Sequence, residues 1–169
     1  MKRIILHWCG GSSNPNHIEL EHYHYVVDRS GKIHQGNHKV SDNENCKDGD
    51  YAAHTGYGNT GSIGVAMCGM MGFKNSDNVG NYPLTKIQCE ATFNLIANLA
   101  LEYNIPVDKE HIFTHYTFNE KHNIKTGKID IIFLPPYPHV LKDDIMSYII
   151  SKVKWYKEKN ANITKAKAD

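Results

Sequence analysis

No apolar run in this 169-residue chain approaches the roughly 18 residues that a membrane span needs. The longest, Phe93–Leu101, is broken by Asn94 and Asn98. Net charge is also missing: 19 Lys and Arg stand against 18 Asp and Glu, leaving +1. That is too even a balance for a surface whose main task is to grip phosphate backbones, so no nucleic-acid partner is expected. There is no C-x-x-C pair, and the four cysteines, at 9, 46, 68 and 89, fit no zinc-finger spacing. They read as free thiols, small buried hydrophobes in a reducing compartment. No H-E-x-x-H occurs, which sets aside the zinc peptidases that use it. Lys2 and Arg3 precede only three apolar residues, Ile4–Leu6, far short of the roughly 7–15 of a secretion signal. Synthesis in the cytoplasm is therefore expected. Internal repeats are absent.

What is present suits one soluble domain: 40% apolar and 22% charged residues, ordinary globular values. The domain is placed at 1–156, with a polar, lysine-rich tail at 157–169, and a monomer is expected. Histidine is the unusual count, eleven in all, and such a surplus hints at metal or acid–base chemistry.

Apolar and β-branched runs predict strands at 3–8, 23–28, 32–35, 62–68 and 112–115. The stretch 37–61 is polar and glycine-rich, an irregular segment carrying Ala53-His54-Thr55-Gly56. A helix begins after Thr85, where Thr85-Lys86-Ile87-Gln88 has the form of a capping box and Leu84 with Cys89 that of a hydrophobic staple. Ile87, Ala91, Leu95, Leu99 and Tyr103, with Ile96 alongside, form its predicted apolar stripe, and Pro106 marks its end. Residues 119–130 read as loop, Leu134–Pro138 as neither helix nor central strand, and 143–155 as a second amphipathic helix. Strands and helices mix without strict alternation. The expected fold class is α/β, a mixed central sheet with helices packed on it.

His7 and His115 both fall at strand ends, and Asp130 follows in Gly127-Lys128-Ile129-Asp130. Two imidazoles and a carboxylate make a three-ligand set with an open fourth position, the pattern of catalytic zinc. Spacing alone does not single them out, because eleven histidines and eighteen acids allow many such triplets.

The wording around these residues is more specific. Ile4-Ile5-Leu6-His7-Trp8, the hairpin Tyr23–Ile33, Ala53-His54-Thr55-Gly56 through Asn59, Ser62-Ile63-Gly64-Val65 with Gly69, and His115 with Lys128-Ile129-Asp130 occur in that order. Together they resemble the zinc-dependent N-acetylmuramoyl-L-alanine amidases of the phage T7 lysozyme type, related to animal peptidoglycan-recognition proteins. The resemblance spans about residues 3 to 130. It implies a T7 lysozyme-like fold, a Zn2+ cofactor held by His7, His115 and Asp130, and a catalytic Lys128 and Tyr23. It also implies a peptidoglycan substrate cut between the lactyl group of N-acetylmuramic acid and L-alanine, with His54 lining the substrate cleft. A phage or prophage endolysin acting on the wall after release fits this reading; a non-catalytic recognition module of the same fold is the alternative. T7-type relatives can also bind an RNA polymerase, and the sequence offers no test of that.

Residue by residue, alternatives remain open: Tyr23 as proton shuttle, hydrogen-bond donor or core residue, and His54 as cleft or surface histidine. Two departures from the family stand out. Ser62–Cys68 carries no acid, with Ala66 or a neighbour where the recycling branch has glutamate, so the tyrosine-using branch fits better. Only fourteen residues separate Trp8 from Tyr23, so the helix found there in many members is expected to be short or missing.

Overall fold

The computed structural model describes the backbone of residues 1–168 and the side chains of residues 1–164. Five strands form one sheet: β1 (Arg3–Trp8), β2 (Tyr25–Val27), β3 (Ile33–Gln35), β4 (Ser62–Met67) and β5 (Ile112–Thr114), in the order β3-β2-β4-β1-β5. All neighbours run parallel except the β2–β3 hairpin. The sheet is therefore mixed, as expected. Four helices complete the fold: α1 (His17–His22), α2 (Lys86–Glu102), α3 (His115–Lys121) and α4 (Ile145–Ala168).

β1 is paired on both edges, and its side chains are buried on both faces. Side chains alternate along it. Ile4, Leu6 and Trp8 join the main core with α2 and α4, whereas Ile5 packs with Phe113 and Phe118 on the opposite face. His7 shares that second face, toward which other candidate residues from the sequence gather.

The capping box at α2 forms as predicted: Gln88 N–H donates to Thr85 Oγ1 and Thr85 N–H to Gln88 Oε1, each at 3.2 Å. The buried stripe differs in phase from the expected one. Ile87 is 61% exposed, and Gln88, Cys89, Thr92, Phe93, Ile96, Ala97 and Ala100 are buried along with Leu95 and Leu99. The cause lies in Gln88, whose Nε2 donates to Val27 O (2.9 Å) and Cys68 O (2.7 Å) and turns that face onto the strand ends. Asn94 and Asn98, which interrupt the apolar run, accept from Asn160 of α4. Glu90 accepts from Tyr137, Lys152 and Tyr156.

Three further boundaries differ from expectation, while the helix expected to be short or missing is present and short. Tyr23 lies outside the hairpin strand: its N–H donates to Glu19 O and closes α1, and the ladder ends with Gly36 N–H on His24 O. The segment before it does hold a helix, a short one of six residues. Residues 119–121 belong to α3 rather than to a loop, because Thr114 caps a helix directly at the end of β5. The segment placed as a polar tail, 157–169, continues α4 as helix to Ala168 and is docked at Asn160, with residue 169 outside the described residues.

Candidate metal centre and active-site cleft

His7 comes from a central strand, His115 from the first position of α3, and Asp130 from the loop that follows it. The backbone N–H of Tyr116 donates to Asp130 O at 2.7 Å and pins that loop beside α3. The three side chains converge, all buried, with one ligand atom from each within 4.8 Å of the others. His7 Nδ1 donates to Asp130 Oδ2 at 2.8 Å, and His115 Nδ1 lies 3.4 Å from the same oxygen.

Burial alone would raise the Asp130 carboxyl, but hydrogen bonds from His115 and His7 hold it at about 2. Burial, the largest influence, lowers His7 below its ordinary value, with Asp130 opposing and the nearby His115 and Lys128 charges adding to the fall. The trio is thus a carboxylate with a neutral His7, the state in which such side chains bind metal. Two ligands of one tetrahedral zinc, each about 2.0–2.1 Å from it, stand about 3.3 Å apart. The His115–Asp130 separation matches that edge; the shorter His7–Asp130 distance is a hydrogen bond. His115 Nε2 is buried with no partner. The donor set and its spacing could hold a divalent metal ion.

His54 and Thr55 back this trio. His7 Nε2 lies 3.2 Å from His54 Nδ1 and 3.3 Å from Thr55 Oγ1, and His54 Nδ1 lies 2.8 Å from that hydroxyl. The His54 ring rests on Gly64: a Cβ there would fall 2.5 Å from the His54 Cγ and Cδ2 atoms. Burial pushes His54 well below its ordinary value, so it stays neutral. His54 lies deep beside His7, and its Nε2 is buried without a partner.

A cleft of about 470 Å³ opens over this floor. Trp8, Cys9, Glu19, Tyr23, His54 and Lys128 are among its walls, with His115 and Asp130. Tyr23 stacks obliquely on His7, ring centroids 5.1 Å apart. Its phenol is pushed up by burial and by the Asp130 charge, so it keeps its proton at neutral pH. Lys128 is exposed at the rim. All six residues singled out in the sequence therefore meet at one place. Glu19 and Thr55 were missed. Glu19 had a readable signal, because Asn16 and Glu19 form a capping box at α1. Ala66 sits opposite His7 in the β1–β4 register, which leaves no acid at that position of β4.

The profile of the family described as N-acetylmuramoyl-L-alanine amidase matches residues 1–131. The chain belongs to that family. Among solved structures, the PlyG catalytic domain is similar at 23% identity, covering 93% of this chain and 84% of that one, with a TM-score of 0.52. PlyL is similar at 20% identity, 90% and 82% coverage and a TM-score of 0.51. The Ph2119 endolysin of a Thermus scotoductus bacteriophage is similar at 15% identity, 89% and 83% coverage and a TM-score of 0.51. These likenesses establish the T7 lysozyme-type amidase fold. Among curated proteins, none matches the chain. Among the described residues no helix is long and apolar enough to cross a membrane.

Proposed function

We propose that this amidase-family chain is a zinc-dependent peptidoglycan hydrolase that cleaves the amide between the lactyl group of N-acetylmuramic acid and L-alanine. The observation that carries the reading is the convergence of buried His7 with His115 and Asp130, two residues that line an open cleft. His7, His115 and Asp130 would hold the zinc, which would supply Lewis acidity and lower the pKa of a water from 15.7 toward about 7. The Asp130 carboxylate orients both histidines, and Thr55 and His54 fix the far side of the His7 ring. Lys128 places a cation at the rim, where negative charge develops on the carbonyl oxygen under attack. Tyr23, protonated at neutral pH, donates a hydrogen bond into the cleft rather than accepting a proton. The same reading takes the protein as an endolysin of phage or prophage origin, made in the cytoplasm and acting on the wall after release.

Metal analysis of the purified protein, with mass spectrometry of digested wall, tests this. Expected are zinc near one per chain, free peptide stems and intact glycan strands; saccharide cleavage or metal-independent turnover would refute it. Muropeptide binding without any product would assign a recognition module instead. His7→Ala should lose metal and activity together. Lys128→Ala should keep the metal and lose turnover by about 10²-fold; an unchanged rate removes Lys128 from the mechanism.

A further inference from the structure

β1 and β4 pair in parallel register from Arg3 and Ser62 to Trp8 and Met67. The ladder takes one more step, because Cys9 N–H donates to Met67 O at 2.9 Å. That bond sets Cys9 opposite Cys68. Neighbouring strands stand about 4.8 Å apart, inside the roughly 4.4–6.8 Å Cα separation of a disulfide. Side chains directly opposite each other project to the same face. Trp8 and Met67 enter the core beneath α2 and α4, so Cys9 and Cys68 turn to the other face, the face of His7.

Their exposure is unequal. Cys9 is half-buried and lines the cleft, whereas Cys68 is buried behind it. Cys9 Sγ also accepts two backbone N–H groups, from Gly11 and Gly69, each at 3.3 Å. Gly10, which follows Cys9, stands in open space. The other two cysteines are placed differently: Cys46 opens the 46–48 turn, and Cys89 is buried on α2.

We propose that Cys9 and Cys68 form a dithiol modification site at the mouth of the cleft, closed to a disulfide by a small-molecule disulfide such as oxidised glutathione. Cys9, reachable from the cleft, opens the S–S bond of the oxidant. One glutathione sulfur stays bonded to Cys9 and the other leaves as a thiol. The Cys68 sulfur then displaces the bound glutathione, which leaves as the second thiol. Two protein S–H bonds are lost and one S–S bond forms. The two electrons and two protons end on two molecules of reduced glutathione. The bridge joins the ends of β1 and β4 two register steps beyond His7 and Ala66, and it forms whatever reaction the cleft performs.

The test incubates the folded chain with oxidised glutathione, traps free thiols with N-ethylmaleimide, and sequences the digest by mass spectrometry. The expected product is a Cys9–Cys68 cross-linked peptide pair, reversed by dithiothreitol. Cys68→Ala should stop at a Cys9–glutathione adduct, and Cys9→Ala should leave Cys68 reduced. A native chain that stops at the Cys9 adduct, or whose Cys68 is still alkylated after denaturation, overturns the proposal. If the Cys68→Ala chain does not fold, the native chain decides alone, by whether its Cys9 ends bonded to Cys68 or to glutathione.

Discussion

His24 should make this protein lose stability as the pH falls below neutral. The ring is 1% exposed, and both its nitrogens are engaged: Gly64 N–H donates to Nδ1, and Nε2–H donates to Asn43 Oδ1, each at 2.9 Å. A second proton would displace the Gly64 amide. Burial accordingly pulls His24 down to about 4, with the Asn43 bond opposing. The unfolded chain titrates near 6.5. Because the folded value is depressed, the unfolded state holds more protons between these two values, and stability falls as pH falls through that window. The full effect is about 3 kcal/mol, at about 1.4 kcal/mol per pH unit, and about 2 kcal/mol of it falls between pH 7 and pH 5. Urea unfolding at both pH values, with chelator present, compares the native chain with His24→Gln. The native chain should lose about 2 kcal/mol more than the variant. Equal losses would refute the argument, as would an NMR titration placing the His24 ring near 6.5.

Gly64→Ala drives a methyl into the His54 ring. It should cost about 1–3 kcal/mol in chemical denaturation. By loosening the contacts behind His7 it should also weaken zinc binding by about 10–100-fold in a chelator competition; unchanged affinity would show that His54 does not support the trio. Gln88→Ala removes the donor to Cys68 O and half of the α2 capping box. The expected loss is about 2–4 kcal/mol in the urea midpoint, and a loss under about 1 kcal/mol would mean that water replaces the amide at no cost.

Features set by neighbouring residues were legible in the sequence. The Thr85 cap, the β2–β3 turn and the apolar runs of β1 and β4 depend on local chemistry. The phase of α2 was not, because its inward face is chosen by Gln88 reaching carbonyls 61 and 20 residues away. The start of α3 was hidden for a similar reason: Thr114 ends a strand and caps a helix at once. The proposed ligand trio shows the limit most plainly. His7 and Asp130 are 123 residues apart, and no periodicity links a strand, a helix start and a loop. Only the phrases around them, taken with the family resemblance, named these three among eleven histidines and eighteen acids.

The three anchors of the centre differ in how far they are free to move. His7 sits on a strand laced to neighbours on both edges, so its backbone amides should exchange with deuterium only through global opening. Asp130 hangs on a loop stapled to α3 by the Tyr116 amide. Asp130 is thus held outside the sheet ladder, and in the proposed zinc-bound form a stiffer 122–129 segment should slow loss of the ion to a chelator.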